Sequence, residues 1–218
     1  MLNNHQLDAI KAYAKAALND DQTGHAMDHV MRVVNLATRL AEAEQVDATI
    51  PVMAAYLHDT IDPKLVADQD QAVTKLRTFL QTNQINPSDI DAVMDIITQM
   101  SFAKTLNGER PSLSIAGQIV QDADWLDAIG AIGIVRAIYY GARHQEKIYD
   151  SSIPPREHLD EQSYRNLADE TIINHFYEKL LKIKDMLNTP AARQIATDRQ
   201  IVMLNFLDDF KDEWDGLQ

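Results

Sequence analysis

Apolar residues recur every three or four positions along most of the chain, and no segment alternates as a strand would. The clearest stripe covers residues 28–44. The spacing predicts an all-α fold in which the last two helices form an antiparallel hairpin. Besides the helix over 28–44, it predicts helices over residues 2–18, 69–82, 88–100, 112–129, 132–143, 162–187 and 190–214.

One more helix starts at a cap provided by Asp47 or Thr49 and carries Pro51 in its first turn. Its apolar run leads directly to His58-Asp59, and Pro63 limits it. An imidazole and a carboxylate at the end of an apolar helix need partners, because burying polar groups without them is costly. The two side chains could bond each other, or they could share an ion.

Composition narrows the function classes. The 218 residues include no cysteine, which excludes disulfides and thiolate metal sites and favours a cytoplasmic protein. The formal net charge of −13 argues against nucleic-acid polymers and anionic membranes as partners. It leaves a small phosphorylated substrate open, because one cation can reverse the field inside a cleft. No apolar run reaches the roughly 20 residues of a membrane span.

Further candidate ligands lie on either side of the His58-Asp59 pair. His25 and His29 are four positions apart and could share a helix face, but His25 follows Gly24 and is better placed as a neighbouring polar group. Asp122 and Asp124 end another apolar run. Imidazoles and carboxylates together suit one divalent ion, with Mn²⁺ or Mg²⁺ first and Fe²⁺, Co²⁺ or Ni²⁺ as alternatives. Each residue taken alone could equally be a cap or a core histidine.

The ordered set His29, His58-Asp59 and Asp124 resembles the H…HD…D signature of the HD superfamily of metal-dependent phosphohydrolases. Residues 23–33, 55–64 and 121–134 resemble the blocks around these ligands in that family. Residues 175–181, 188–190 and 213–216 are similar to the bacterial branch typified by YedJ and YpgQ. The resemblance implies one HD domain over residues 1–218, with its metal-binding core over 20–130 and the helices over 162–214 packed on it.

The resemblance also implies roles. Its metal ligands are His29, His58, Asp59 and Asp124, and the metal activates a water. The implied reaction converts a nucleoside triphosphate to a monophosphate and pyrophosphate. Asp62 is the candidate general base beside the catalytic pair His58 and Asp59. The candidate substrate-binding residues are His25, Arg32, Lys64, Asp127 and Arg143. A homodimer is a further possibility.

The sequence is also compatible with other functions. A phosphomonoesterase acting on nucleoside monophosphates or other small phosphate esters would use the same ligands, and so would a non-catalytic nucleotide sensor. A di-iron oxygenase of this fold needs extra histidines, but none occurs between His58 and His144. Two positions depart from the family pattern: Trp125 replaces the usual Arg, and Ala26 replaces a frequent Asp.

Overall fold

The computed structural model describes residues 2–18, 26–63, 65–106, 110–157 and 170–217. Within these ranges the chain forms helices and turns, and its β-structure is limited to an isolated bridge between Lys147 and Thr171. The prediction of an all-α fold is therefore confirmed. None of the described helices combines the length and the apolar character needed to cross a membrane.

The chain divides into two compact units, Met1–Asp124 and Trp125–Gln218. The organisation of the whole chain as one HD domain stays a prediction. The first unit contains α1 (Asn4–Ala17), α2 (Met27–Ala43), α3 (Thr49–Leu57), α4 (Gln69–Thr82), α5 (Pro87–Gln99) and all but the last turn of α6 (Ile115–Asp127). Turns of 3-10 helix at His58–Ile61 and Phe102–Thr105 follow α3 and α5.

Helix α3 forms the centre of the first unit. Its sequence is apolar on nearly every side, and a helix of that kind must be buried all round. It packs against α1, α2 and α5, and Met53 and Leu57 have no exposed surface. Burying a side chain of this size contributes about 1.5–3 kcal/mol. The packing of this buried helix therefore fixes the position of the residues that follow it.

The second unit contains α7 (Gly130–Arg143), α8 (Ile172–Glu178), α9 (Ile183–Met186) and α10 (Pro190–Trp214). Helix α10 packs along α7 and α9, and α8 packs on α7. Gly141 allows the close approach of α7 and α8, because a Cβ atom there would overlap the side chain of Ile172. Thr189 caps α10 by accepting a hydrogen bond from the Ala192 N–H.

The structure differs from the predicted helix over residues 162–187, of which 162–169 lie outside the described residues. Helix α8 starts only after the Thr171 cap, and at Lys179 the backbone leaves the helical region. A 3-10 turn, Leu180–Lys182, then leads into α9. The apolar spacing of Leu180, Ile183 and Leu187 hides this break, because a single 3-10 turn keeps those side chains on one face.

Candidate metal centre

Helix α3 is followed directly by a turn of 3-10 helix, which carries the polar residues. The helix ends at Leu57, residues His58–Ile61 form the 3-10 turn, and Asp62 continues in extended conformation. His58 is 7% exposed and Asp59 is 5% exposed, so both are almost completely removed from water. Polar groups buried to this degree need hydrogen-bond partners or an ion.

A hydrogen bond to the backbone fixes the tautomer of His58. Its Nδ1 atom lies 2.9 Å from the carbonyl oxygen of Ala55. Because a carbonyl oxygen can only accept, Nδ1 carries the proton and donates it. In the neutral imidazole, Nε2 is then left with its lone pair. Metal-ligating histidines are commonly oriented in this way.

Three other side chains meet the Nε2 atom of His58. His29, fully buried in the first turn of α2, places its Nε2 at 3.2 Å. Asp59 Oδ1 lies at 3.2 Å, and Asp124 Oδ1, which α6 carries, lies at 3.8 Å. His29 Nε2 is also 3.5 Å from both Asp59 Oδ2 and Asp124 Oδ1. The structure therefore brings together all four side chains that the sequence indicates as ligands.

The donor set of this cluster fits a divalent cation. Lone pairs of nitrogen and oxygen converge here, and Asp59 Oδ2 is a buried atom without a hydrogen-bond partner. Ligand atoms of His29, His58 and Asp59 lie within 4.8 Å of one another. Neighbouring ligands about 2.1 Å from one ion are separated by about 3.0–3.4 Å, close to the 3.2 Å and 3.5 Å spacings here. A cation would satisfy these acceptors together.

The cluster is open on one side. The side chain of Asp124 is 28% exposed, whereas those of His29, His58 and Asp59 are at most 7% exposed. Three of these side chains are thus buried, and the fourth, Asp124, borders solvent. A catalytic metal site needs such an open position, whereas a purely structural site is closed.

The first unit also contains the residues that were predicted as the general base and as substrate-binding groups. Asp62 is half-buried directly after the 3-10 turn, and its role as a base stays a prediction. Arg32 lies one turn after His29 and binds Asp28 at 2.8 Å across a helical turn. Lys64 and His25 lie outside the described residues.

Two predicted residues belong to the second unit. Asp127 is buried and forms a 2.9 Å ion pair with Arg136 of α7. The sequence predicted Asp127 as a substrate-binding residue, and that role stays a prediction beside this ion pair. Arg143 is exposed at the end of α7, and its role in binding substrate is likewise a prediction.

The sequence did not indicate the hydrogen bonds of Gln121, which lies one helical turn before Asp124. Gln121 is buried, donates from Nε2 to the Met100 carbonyl oxygen at 2.9 Å, and accepts from Arg110 Nη2 at 3.0 Å. It therefore ties both ends of the α5–α6 connection to the helix that carries Asp124. The only signal in the sequence was an amide within an apolar run, because hydrogen bonds between loop and helix have no periodicity.

Comparison with known proteins agrees with this geometry. The HD domain family model matches residues 26–129. The chain is 36% identical to YpgQ of Bacillus subtilis over 212 residues, covering 97% of this chain and 95% of YpgQ. A solved structure from Lactobacillus plantarum has 46% identity and a TM-score of 0.88, covering 99% of this chain and 100% of that one.

The structure of YpgQ in complex with ADP superposes with a TM-score of 0.76 at 35% identity, covering 96% of this chain and 95% of that one. An HD-superfamily hydrolase from Bacillus thuringiensis has a TM-score of 0.75 at 34% identity, with 97% of both chains covered. These likenesses extend over almost the whole sequence and include the helices that carry the four converging side chains. The chain therefore belongs to the HD superfamily of metal-dependent phosphohydrolases, in the branch that contains YpgQ.

Proposed function

We propose that this protein hydrolyses nucleoside triphosphates to nucleoside monophosphates and pyrophosphate. The observation that carries the proposal is the convergence of His29, His58, Asp59 and Asp124 in a buried cluster with one solvent-facing ligand. The ADP bound by the related YpgQ supports a nucleotide as the ligand here. The negative net charge of the chain is compatible with this substrate if cations are concentrated at the site.

The proposed ligands would hold Mn²⁺ or Mg²⁺, which supplies a Lewis acid and lowers the pKa of a water. The hydrogen bond from His58 Nδ1 to Ala55 keeps the Nε2 lone pair turned toward the ligand cluster. Asp124, at the open side, would meet the substrate first. These residues orient and bind, and none needs to form a covalent bond to the substrate.

The proton of the attacking water is assigned to Asp62. Water attacks the α-phosphorus, the bond from that phosphorus to the bridging oxygen breaks, and pyrophosphate leaves with the bonding electron pair. Asp62 follows the ligand turn directly and would take the proton at its carboxylate. The proton then passes to the leaving group or to solvent, so the residue is regenerated.

Cations of the first unit would bind the phosphate chain. Arg32 and Lys64 were indicated by the sequence, and the structure adds Arg110, which Gln121 holds one turn before Asp124. Guanidinium groups suit phosphate because their N–H groups form paired, charge-assisted hydrogen bonds. The roles of Asp127 and Arg143 in sugar or phosphate binding are part of the same proposal.

The decisive experiment is a nucleotide panel. The purified protein is incubated with ribo- and deoxyribonucleoside tri-, di- and monophosphates and with Mn²⁺, Mg²⁺, Co²⁺ or Ni²⁺ in water enriched in ¹⁸O. Phosphorus NMR then separates pyrophosphate from orthophosphate. We expect pyrophosphate together with ¹⁸O in the nucleoside monophosphate, because water attacks the α-phosphorus.

His58→Ala should abolish turnover, while His5→Ala, which changes an exposed histidine of α1, should leave turnover unchanged. Orthophosphate released from monophosphates would instead indicate a phosphomonoesterase. If no phosphorylated compound reacts with any of these ions, or if His58→Ala is as active as the wild type, the proposal is wrong.

A further inference from the structure

Gln121 is a polar side chain in the buried, apolar part of α6. It is 1% exposed, and its neighbours Ile119, Val120 and Ala123 have no exposed surface. An amide removed from water to this degree needs partners for both its donor and its acceptor. A methionine would fill a similar volume without that requirement, so packing alone does not explain an amide at this position.

The partners of Gln121 fix the orientation of its amide. The Nε2 atom donates to the Met100 carbonyl oxygen at 2.9 Å, and the Oε1 atom accepts from Arg110 Nη2 at 3.0 Å. A carbonyl oxygen can only accept and a guanidinium group can only donate, so the reversed amide would satisfy neither partner. A single buried side chain thus joins the start of the α5–α6 connection, at Met100, to Arg110 in its later part.

This amide lies beside the candidate metal ligands. Residues three apart on a helix are neighbours on its surface, about 4.5 Å apart along the axis, and Gln121 precedes the solvent-facing Asp124 by three positions. Helix α5, which Met100 follows, packs against the 3-10 turn His58–Ile61 that carries two further ligands. All of these residues belong to the first unit. The bond from Gln121 therefore holds a cation next to the helical turn that presents Asp124.

Arg110 is exposed, and an exposed arginine side chain samples many rotamers. Ordering such a side chain only when a ligand arrives weakens binding, whereas fixing it beforehand strengthens binding. The bond to Gln121 is compatible with a ligand, because a guanidinium group carries five N–H donors and can bind phosphate oxygens with other edges. The amide is therefore placed to orient the guanidinium group before a phosphate binds.

We propose that Gln121 is a positioning residue for the nucleotide, which holds Arg110 in the orientation that binds the phosphate chain. This inference rests on the proposed function, because it assumes a phosphorylated ligand at the metal cluster. It requires the affinity for the nucleotide, but not the affinity for the metal, to depend on the buried amide. A glutamine that only supported α6 would act through Asp124 and would change both affinities.

The test is the Kd of α,β-methylene-ATP, a triphosphate that cannot be cleaved between its α- and β-phosphorus atoms, by calorimetric titration at saturating Mn²⁺. The full-length wild type is compared with Gln121→Met, Arg110→Ala and the double variant. Gln118→Met is the matched control, because Gln118 lies on the same helix and donates to the Leu113 carbonyl oxygen of the same connection at 3.0 Å. The Mn²⁺-dependent rise in Tm of each variant reports on metal binding.

We expect Gln121→Met to raise the Kd by about two- to tenfold, the cost of ordering one long side chain on binding. Gln118→Met should keep the wild-type Kd. Adding Gln121→Met to Arg110→Ala should have no further effect, because no guanidinium group is left to be positioned. The Mn²⁺-dependent rise in Tm should be the same in Gln121→Met as in the wild type. Gln121→Asn, whose amide is one methylene group shorter, should raise the Kd likewise, which covers the case of a misfolded Gln121→Met protein.

An unchanged Kd in the Gln121 variants, additive effects of the two substitutions, or an equal rise in Gln118→Met would each overturn the inference. So would a smaller Mn²⁺-dependent rise in Tm, since Gln121 would then act through Asp124. Turnover of nucleoside triphosphates by the wild type would leave the proposed function standing in all these cases. A wild type that neither binds the analogue nor hydrolyses any nucleotide would refute the proposed function and this inference together.

Discussion

A single hydrogen bond decides which atom of His58 can bind an ion. With Nδ1 donating to Ala55, Nε2 can only accept, and it faces His29 Nε2 and Asp59 Oδ1 at 3.2 Å each. The sequence predicted the identities of the four converging residues because they follow one another in a recognisable order. It could not predict the tautomer, which depends on the bend of the backbone after Leu57.

Arg110 is a second single residue whose role, binding the phosphate chain of the substrate, can be tested. We expect Arg110→Ala to raise the KM for a nucleoside triphosphate by about ten- to a hundredfold, the equivalent of one charge-assisted hydrogen bond of about 1.5–3 kcal/mol. The value of kcat should change little, because a group that binds the phosphate chain equally before and during reaction affects KM alone. Steady-state kinetics at saturating Mn²⁺ measure both parameters.

Arg77→Ala serves as the control for Arg110, since Arg77 pairs with Asp91 on the surface of the same unit. Its KM should equal that of the wild type. If Arg110→Ala leaves KM unchanged, or if both variants raise it equally, Arg110 does not contact the substrate. No motif in the sequence indicated Arg110, because its contact with Gln121 joins positions that belong to no common pattern.

Among the secondary-structure elements, helices that pack by apolar stripes were predictable. The predictions for α4 and α10 were correct to the residue. The ends of other helices differed, as in α6, which was predicted over residues 112–129 and extends over Ile115–Asp127. Three helices, α2, α4 and α7, are followed by a glutamine in the left-handed region, at Gln45, Gln84 and Gln145. Glycine is the usual residue for this position, so the sequence lacks the glycine signal at these three ends.

Two buried glutamates and their partly exposed partners, Arg156 and His175, join the connection after α7 to α8. Their ion pairs make this part of the chain sensitive to acid. Arg156 binds Glu170 at 3.1 Å and also binds Glu178, while His175 Nδ1 lies 2.7 Å from Glu170. Burial by itself raises the pKa of Glu170. The hydrogen bond and charge of His175, together with Arg156, outweigh that effect and lower the pKa below its ordinary value.

A lowered pKa means that Glu170 stabilises the fold above the ordinary glutamate pKa, and that this stability is lost as the pH falls through the lowered value. Glu170→Gln should therefore show a weaker loss of stability between about pH 6 and about pH 3. Urea unfolding across this range gives the slope. Glu213→Gln, at an exposed position of α10, should keep the wild-type slope. Equal slopes for Glu170→Gln and the wild type would contradict this account.

For the whole molecule, the sequence predicted the helical class, but apolar spacing and composition contain nothing that would divide the chain at Asp124. Helix α6 runs across the boundary, from Ile115 to Asp127, and an uninterrupted apolar helix gives no sign of a division. Asp124, the last residue of the first unit, is also the solvent-facing member of the candidate metal-binding cluster. All four side chains of this cluster therefore lie within the first unit.

Metal binding should consequently stabilise the molecule against unfolding. An ion that binds the folded state alone adds about 2.7 kcal/mol at a hundredfold excess over its Kd, and about 1 kcal/mol shifts Tm by about 2–4 °C in a chain of this length. Mn²⁺ at that concentration should therefore raise the Tm of chelator-treated wild-type protein by roughly 5–10 °C. Differential scanning calorimetry with and without the ion measures this shift.

The same Mn²⁺-dependent rise in Tm distinguishes residues that bind the ion from residues that do not. His58→Ala should lose most of the Mn²⁺-dependent rise in Tm, because it removes an Nε2 atom that lies within 3.8 Å of His29, Asp59 and Asp124. Without the ion its Tm can equal or exceed that of the wild type, since fewer lone pairs are then forced together. His5→Ala should keep the full rise. A rise of equal size in His58→Ala would place the ion elsewhere, whatever the catalytic rates of the variants.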